Sequence, residues 1–231
     1  MINHEYKCIF IHIHKTAGGA IWPAFNYNPH KDLHNLSIGG IHHTAEMTKE
    51  GYGEKIWNDY FKFTIVRSPW GKKVGSYEHT RRKYKTYKVN PTYSQENFSY
   101  WLENFKMPKP PCGDYHDMDQ FDWLTINGKM AMDYIIRFEH FKEDWEEVVN
   151  ILKIEEPNEL EWGGHHKNTY EHPEAYSFQQ SGIPLDYSKY YTKESEDYVK
   201  KRWKKDIEYF GFKFMSDSYN EDKVKLLNKN I

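Results

Sequence analysis

Cys8-Ile9-Phe10-Ile11-His12-Ile13-His14-Lys15-Thr16-Ala17-Gly18-Gly19-Ala20 is the stretch that decides how this chain folds. Its first half is apolar and β-branched between polar neighbours, which reads as a short buried strand. Gly18 and Gly19 follow, and the spacing of Ile21, Trp22 and Phe25 predicts the start of a helix ending near Asn26–Pro29. Strand, tight turn and helix start together present backbone N–H groups to an anion. Lys15 and Thr16 stand at the mouth of the turn and add a cation and a hydroxyl. On the segment alone two readings stay open, an anion-binding loop or an ordinary connection with a surface lysine. It is not a Walker A loop, because there the lysine follows the glycines.

Phe61–Arg67 is a second apolar, β-branched strand, stopped by Ser68-Pro69-Trp70. Pro69 suits the first turn of a helix, where its missing N–H costs nothing. That helix is expected to run through Val74 and Tyr77 into the basic segment His79–Lys88. A charged residue such as Arg67 at the carboxyl end of a parallel strand stands where α/β proteins place ligand-binding groups, although a surface ion pair would also account for it. Met132–Phe138 is a third strand candidate, followed by Glu139 and a helix with Phe141, Trp145, Val148, Val149 and Leu152 on one face. Thr44 is placed to cap a short helix. A last helix is expected over Lys193–Tyr209, with Gly211 as its cap. The pattern predicts an α/β fold with a P-loop-like parallel sheet flanked by helices. Residues 1–231 form one domain, with a charged, frayed tail over 216–231.

The order strand, Lys-Thr, x-Gly-Gly, helix resembles the 5′-phosphosulfate loop of sulfotransferases that use 3′-phosphoadenosine 5′-phosphosulfate (PAPS). It is most similar to the carbohydrate O-sulfotransferase branch, worded Ile-Phe-[Ile/Val]-His-Ile-Pro-Lys-Thr-Gly-Gly-Thr-Ser. Here His14 replaces the proline, and Gly19 and Ala20 replace Thr-Ser. The second strand and helix resemble the family's 3′-phosphate motif, Val-Arg-Asn-Pro-x-x-Arg-x-x-Ser-x-Tyr. Arg67, Pro69 and Tyr77 match; Ser68 stands for the asparagine, Lys72 for the arginine and Gly75 for the serine, with Ser76 one place later. His165-His166-Lys167-Asn168-Thr169 is similar to a late family loop near the nucleotide.

The resemblance implies PAPS as sulfuryl donor, adenosine 3′,5′-bisphosphate as product and no metal. It implies a donor site of Lys15, Thr16, Ala17, Gly18, Gly19, Ala20, Arg67, Ser68 and Ser76, reached also by Lys167 and Tyr170, with Trp22 beside the adenine. Lys15 and the loop amides would stabilise the leaving phosphate. The acceptor is expected to be a hydroxyl, on a carbohydrate or another molecule. Residues 84–128, with Pro91, Pro108, Pro110 and Pro111, read as an insertion shaping the acceptor side, or as a solvated excursion with no substrate role. The basic run Arg81-Arg82-Lys83-Tyr84-Lys85 either grips an anionic acceptor or is a solvated helix face.

Among 13 histidines, His12 and His14 alternate on one strand face, but no spacing is that of a zinc site. His42 follows Gly39-Gly40-Ile41 and precedes Glu46, an order similar to the catalytic-histidine segment of heparan sulfate O-sulfotransferases. Imidazole suits the removal of a hydroxyl proton near neutral pH, so His42 is the expected base, with His43 in its place if the register shifts by one. A loop histidine bonded to backbone is the plainer alternative.

Lys+Arg number 32 against 34 Asp+Glu, a balance that marks no nucleic-acid binder. Cys8 and Cys112 form no disulfide framework. There is no signal-peptide core and no apolar run of membrane-spanning length, so the expectation is a soluble, cytoplasmic protein without a membrane anchor. Two rivals remain: a nucleotide-binding protein of this fold with weakened catalysis, and a nucleotide kinase, which the absent Walker A loop argues against.

Overall fold

The computed structural model describes residues 1–26, 42–83, 85, 88–105, 117–155 and 186–224. Its central sheet has the strand order β1 (Ile2–Asn3), β2 (Cys8–Ile11), β3 (Phe61–Val66), β6 (Tyr134–Arg137). β2, β3 and β6 are parallel, and β1 is antiparallel to β2. A separate two-stranded hairpin joins β4 (Thr125–Ile126) to β5 (Lys129–Met130). Side chains alternate across the sheet, so each strand feeds two cores. Ile9, Ile11, Val66 and Ile135 face one; Cys8, Phe10, Phe63, Ile65, Tyr134 and Ile136 face the other. Burial on both faces is why these strands read as continuous apolar runs. Each fully buried Ile or Phe contributes about 1.5–3 kcal/mol. The expected α/β sheet flanked by helices is the fold observed.

Three helices bear on the site: α1 (Ala45–Tyr52), α2 (Glu54–Asp59) and α3 (Pro69–Arg82). Thr44 caps α1, its hydroxyl oxygen accepting the Met47 N–H at 3.2 Å. Pro69 opens α3 as its sequence position requires.

Four expectations need correcting. No α-helix follows the glycine turn within residues 18–26; two 3-10 turns, Gly18–Ala20 and Pro23–Phe25, stand there instead. Ala17 is left-handed at φ 65, Pro23 has no N–H with which to continue a helix, and Asn26 at φ 51 closes the segment. Within 84–128 the described residues are not simply a solvated excursion: the helices Gln95–Asn104 and Gln120–Leu124 bury Phe98, Trp101, Leu102, Trp123 and Leu124. The last long helix breaks at Trp203 into Lys193–Arg202 and Lys204–Phe210, with Gly211 capping at φ 76. The tail is docked as far as residue 224, where Val224 is fully buried and Glu221 pairs with Arg137 at 2.8 Å.

The end of β3 is clamped from behind. The Arg67 N–H donates to Gln120 Oε1 at 3.0 Å, and Gln120 Nε2 returns a bond to the Arg67 carbonyl at 2.8 Å. Asp206 accepts from the backbone N–H groups of Gln120 and Phe121 at 2.9 and 2.8 Å. Burial pushes the Asp206 carboxyl up to about 6 and lowers the nearby Lys72 to about 8, each offset in part by the other's charge. A carboxyl whose folded pKa exceeds its unfolded value adds stability below the unfolded pKa and loses it as pH rises through the folded one. Asp206 should therefore make the protein less stable between pH of about 4 and about 6, by on the order of 2–3 kcal/mol at about 1.4 kcal/mol per unit. Denaturant titrations across that window should show the slope in the parent and its loss in Asp206→Asn; equal slopes would mean that Asp206 ionises alike in folded and unfolded chains.

Candidate functional site

The loop after β2 is shaped by its backbone. Lys15 and Ala17 hold φ of 62 and 65, the left-handed region that L-residues rarely occupy. The Thr16 hydroxyl is fully buried and donates to the Ile13 carbonyl at 2.9 Å, bracing the bend. The turn uses the Ala20 N–H on the Ala17 carbonyl at 2.9 Å and the Ile21 N–H on the Gly18 carbonyl at 3.2 Å. The first N–H groups of such a turn have no partner within it. Gly18 is demanded by contact: a Cβ there would lie 2.2 Å from His12 Cδ2. Among the described residues, Trp22 at 3.9 Å is what a Cβ at Gly19 would meet.

Arg67 stands one residue past β3. Its Nη1 donates to the Lys15 carbonyl at 3.3 Å, so the two loops are joined directly. The guanidinium carbon lies 4.1 Å from the Phe138 ring centroid. A Cβ at Gly75 would come within 3.1 Å of Arg67 Nη1, and one at Gly71 within 3.2 Å of Nε. The guanidinium therefore lies along the glycine face of α3, in space that the serine of the family motif would narrow. Burial lowers the Arg67 pKa and Glu139 offsets it; Glu139 is raised by its own burial and accepts a bond from the Tyr219 hydroxyl.

The two serines have parted. Ser68 is fully buried with its hydroxyl 3.3 Å from Tyr187 Oη, while Ser76 donates to the Lys72 carbonyl at 3.0 Å and faces the other side of α3. Ser76 lines a shallow, solvent-open cleft together with Lys15, Lys73, Thr80, Trp101 and Phe105. Trp101 and Phe105 are stacked with ring centroids 5.5 Å apart. Lys73 is paired with Asp117 and lies over the Trp203 ring at 4.1 Å. Arg81, from the basic run, is tied to Glu78 and to the Pro91 carbonyl, both at 2.7 Å.

The histidines gather at the start of the loop. His42 Nδ1 lies 3.0 Å from the His12 carbonyl. A carbonyl only accepts, so Nδ1 carries the proton and the lone pair is on Nε2. The His42 ring also packs on His12 and His14, with centroids 4.4 and 3.5 Å away. His12 is held well below the usual imidazole pKa by burial first, then by His42, the N-terminal ammonium and Lys15. His43 is buried, and its carbonyl accepts the Trp123 indole N–H at 2.9 Å.

The structure thus brings Lys15, Thr16, Ala17, Gly18, Gly19, Ala20 and Arg67 together, with His42 joined to them through His12. Lys167 and Tyr170 lie outside the described residues. Sequence reading passed over the His14 ring, the room that Gly75 makes, and the cleft wall of Trp101 and Phe105. His14 was signalled by its alternation with His12; the wall had no local signal, since it forms only when the helix Gln95–Asn104 packs beside α3. Among the described residues no group of three or more His, Cys, Asp or Glu side chains is set to hold a metal, and no helix is long and apolar enough to cross a membrane.

No solved structure matches this chain. An uncharacterized protein of Archaeoglobus fulgidus is 27% identical over 118 residues, which are 51% of this chain and 86% of that protein. The family model described as "Sulfotransferase family" matches residues 1–213, a span containing the loop, Arg67, the histidine group and the cleft. A lysine loop after the first parallel strand, an arginine after the second and that match over residues 1–213 lead to one conclusion: the chain belongs to the sulfotransferase family, whose chemistry is sulfuryl transfer.

Proposed function

We propose that this sulfotransferase uses PAPS, that its acceptor is a hydroxyl on a sugar, as in the carbohydrate O-sulfotransferase branch, and that His42 is the base. The observation that carries the proposal is the bond from His42 Nδ1–H to the His12 carbonyl at 3.0 Å. A general base needs a second group to fix its tautomer, and here a main-chain carbonyl does so.

The residues present fit the donor. The loop offers the first-turn backbone N–H groups, a lysine, and at Gly19 a position where an added Cβ would meet nothing closer than Trp22 at 3.9 Å. PAPS, when bound, supplies the sulfuryl group and leaves as adenosine 3′,5′-bisphosphate. The N–H groups of Ala17, Gly18 and Gly19 and the Lys15 ammonium hold the phosphosulfate and the charge that builds on its bridging oxygen, so the reading includes no metal. The Ala20 N–H and the Thr16 hydroxyl hold the turn itself. Arg67 provides the cation for the 3′-phosphate. Ser68, next to Arg67, and Ser76, in the cleft that Lys15 also lines, are the hydroxyls this reading assigns to the donor. Lys167 and Tyr170 complete the donor site in this reading. Trp101 and Phe105 offer a ring face to the acceptor, on the Lys15 side of the cleft. His42 takes the acceptor proton on Nε2.

One observation favours a protein that binds nucleotide without turnover: Arg67 already spends a donor on the Lys15 carbonyl. Transfer of labelled sulfate from PAPS to a panel of polysaccharides and glycosides separates the two, with turnover expected. His42→Ala should lower the rate by roughly 100- to 10,000-fold while adenosine 3′,5′-bisphosphate binds as before. Equal rates would move the base elsewhere. Gly18→Ala should cost about 1–3 kcal/mol in denaturant titrations, because its Cβ overlaps the His12 ring, and should slow transfer as well. Full stability in that variant would show the loop to be looser than its packing implies.

A further inference from the structure

We infer that His14 is a positioning residue for His42, holding the ring of the base in one plane; this rests on the reading of His42 as base. A single hydrogen bond leaves a ring free to rotate about it. The Nδ1 bond to the His12 carbonyl fixes one edge of the His42 imidazole, and a face contact is needed to fix its tilt. His14 supplies it, with ring centroids 3.5 Å apart and planes 31° from parallel.

His14 is itself held. It is 5% exposed, and the Trp123 ring stands edge-on to it at 5.5 Å and 89°. The same indole donates through Nε1 to the His43 carbonyl at 2.9 Å, so one side chain backs the stack and ties down the residue after His42. His12 is held as well, its ring seated against Gly18 and edge-on to Trp22 at 5.3 Å. His12 and His14 follow β2 directly, and the His42 ring packs on both. Bond and stack together fix where Nε2 points. The proline that stands at position 14 in the motif this loop resembles has no flat conjugated face, so the stack belongs to this chain's own wording.

The test compares His14→Phe, which keeps a flat ring, with His14→Leu, which fills similar space without one. A misplaced catalytic group costs up to about 100-fold in rate. His14→Leu should lower kcat by about 10- to 100-fold with KM for PAPS and acceptor within about threefold, and His14→Phe should stay within about fivefold of the parent. Equal losses in both variants, or a loss confined to KM, would overturn the inference. Nitrogen-15 spectra of the His42 ring give a readout that needs no turnover. The parent should show a single tautomer protonated at Nδ1, retained in His14→Phe and mixed in His14→Leu. An unchanged His42 signal in His14→Leu overturns the inference. Should His42→Ala keep full activity while His14→Leu still mixes the His42 tautomers, the base assignment fails and the positioning role stands.

Discussion

A largely buried cation has to be met by acceptors, and Arg67 is the one around which the loops of this protein are arranged. Its Nη1 reaches the Lys15 carbonyl, its plane lies on Phe138, and the charge of Glu139 faces it. Its main chain exchanges two bonds with Gln120, which Asp206 holds in turn. Gly71 and Gly75 leave the guanidinium its room. Truncating Arg67 would thus loosen the Lys15 loop and leave Glu139 buried beside a gap. Binding and folding roles sit on the same side chain, and a loss of donor affinity at this position would not by itself identify a phosphate contact.

The histidine group depends on the same loop from its other end. Gly18 seats the His12 ring, the His12 carbonyl holds His42, and His14 lies against the His42 face. The segment that leaves β2 thus carries both the histidine group and the turn that holds Lys15. The cleft between α3 and the helix Gln95–Asn104 is lined by Lys15 as well as by Trp101 and Phe105.

The sheet was legible because its strands are buried on both faces: Cys8–Ile11, Phe61–Val66 and Tyr134–Arg137 announce themselves as apolar runs whatever surrounds them. Pro69, Thr44 and Gly211 carried their caps in the sequence for equally local reasons. What failed to show was non-local or set by backbone. The left-handed Ala17 and the proline at 23 replace a helix by 3-10 turns, although the apolar spacing alone favours the helix. The tail carries charges that suggest fraying, yet Arg137 and Glu139 at the end of β6 capture Glu221 and Tyr219. The departure at Gly75 reads as a lost phosphate ligand until the guanidinium lying against it is seen. Ser68 and Ser76 were both candidates in sequence, and only their partners, the Tyr187 hydroxyl and the Lys72 carbonyl, separate them.

The central claim is that the turn after β2, with Arg67, forms a site for a nucleotide carrying phosphates on both its 3′ and 5′ positions. Calorimetric titration of the parent protein with adenosine 3′,5′-bisphosphate, adenosine 5′-monophosphate and ATP with magnesium tests it most directly. A 3′-phosphate met by a charged donor should strengthen binding by about 1.5–3 kcal/mol, roughly 10- to 150-fold, over the monophosphate, with ATP no better than the monophosphate. Equal affinity for the three nucleotides, or a preference for ATP, would contradict the account.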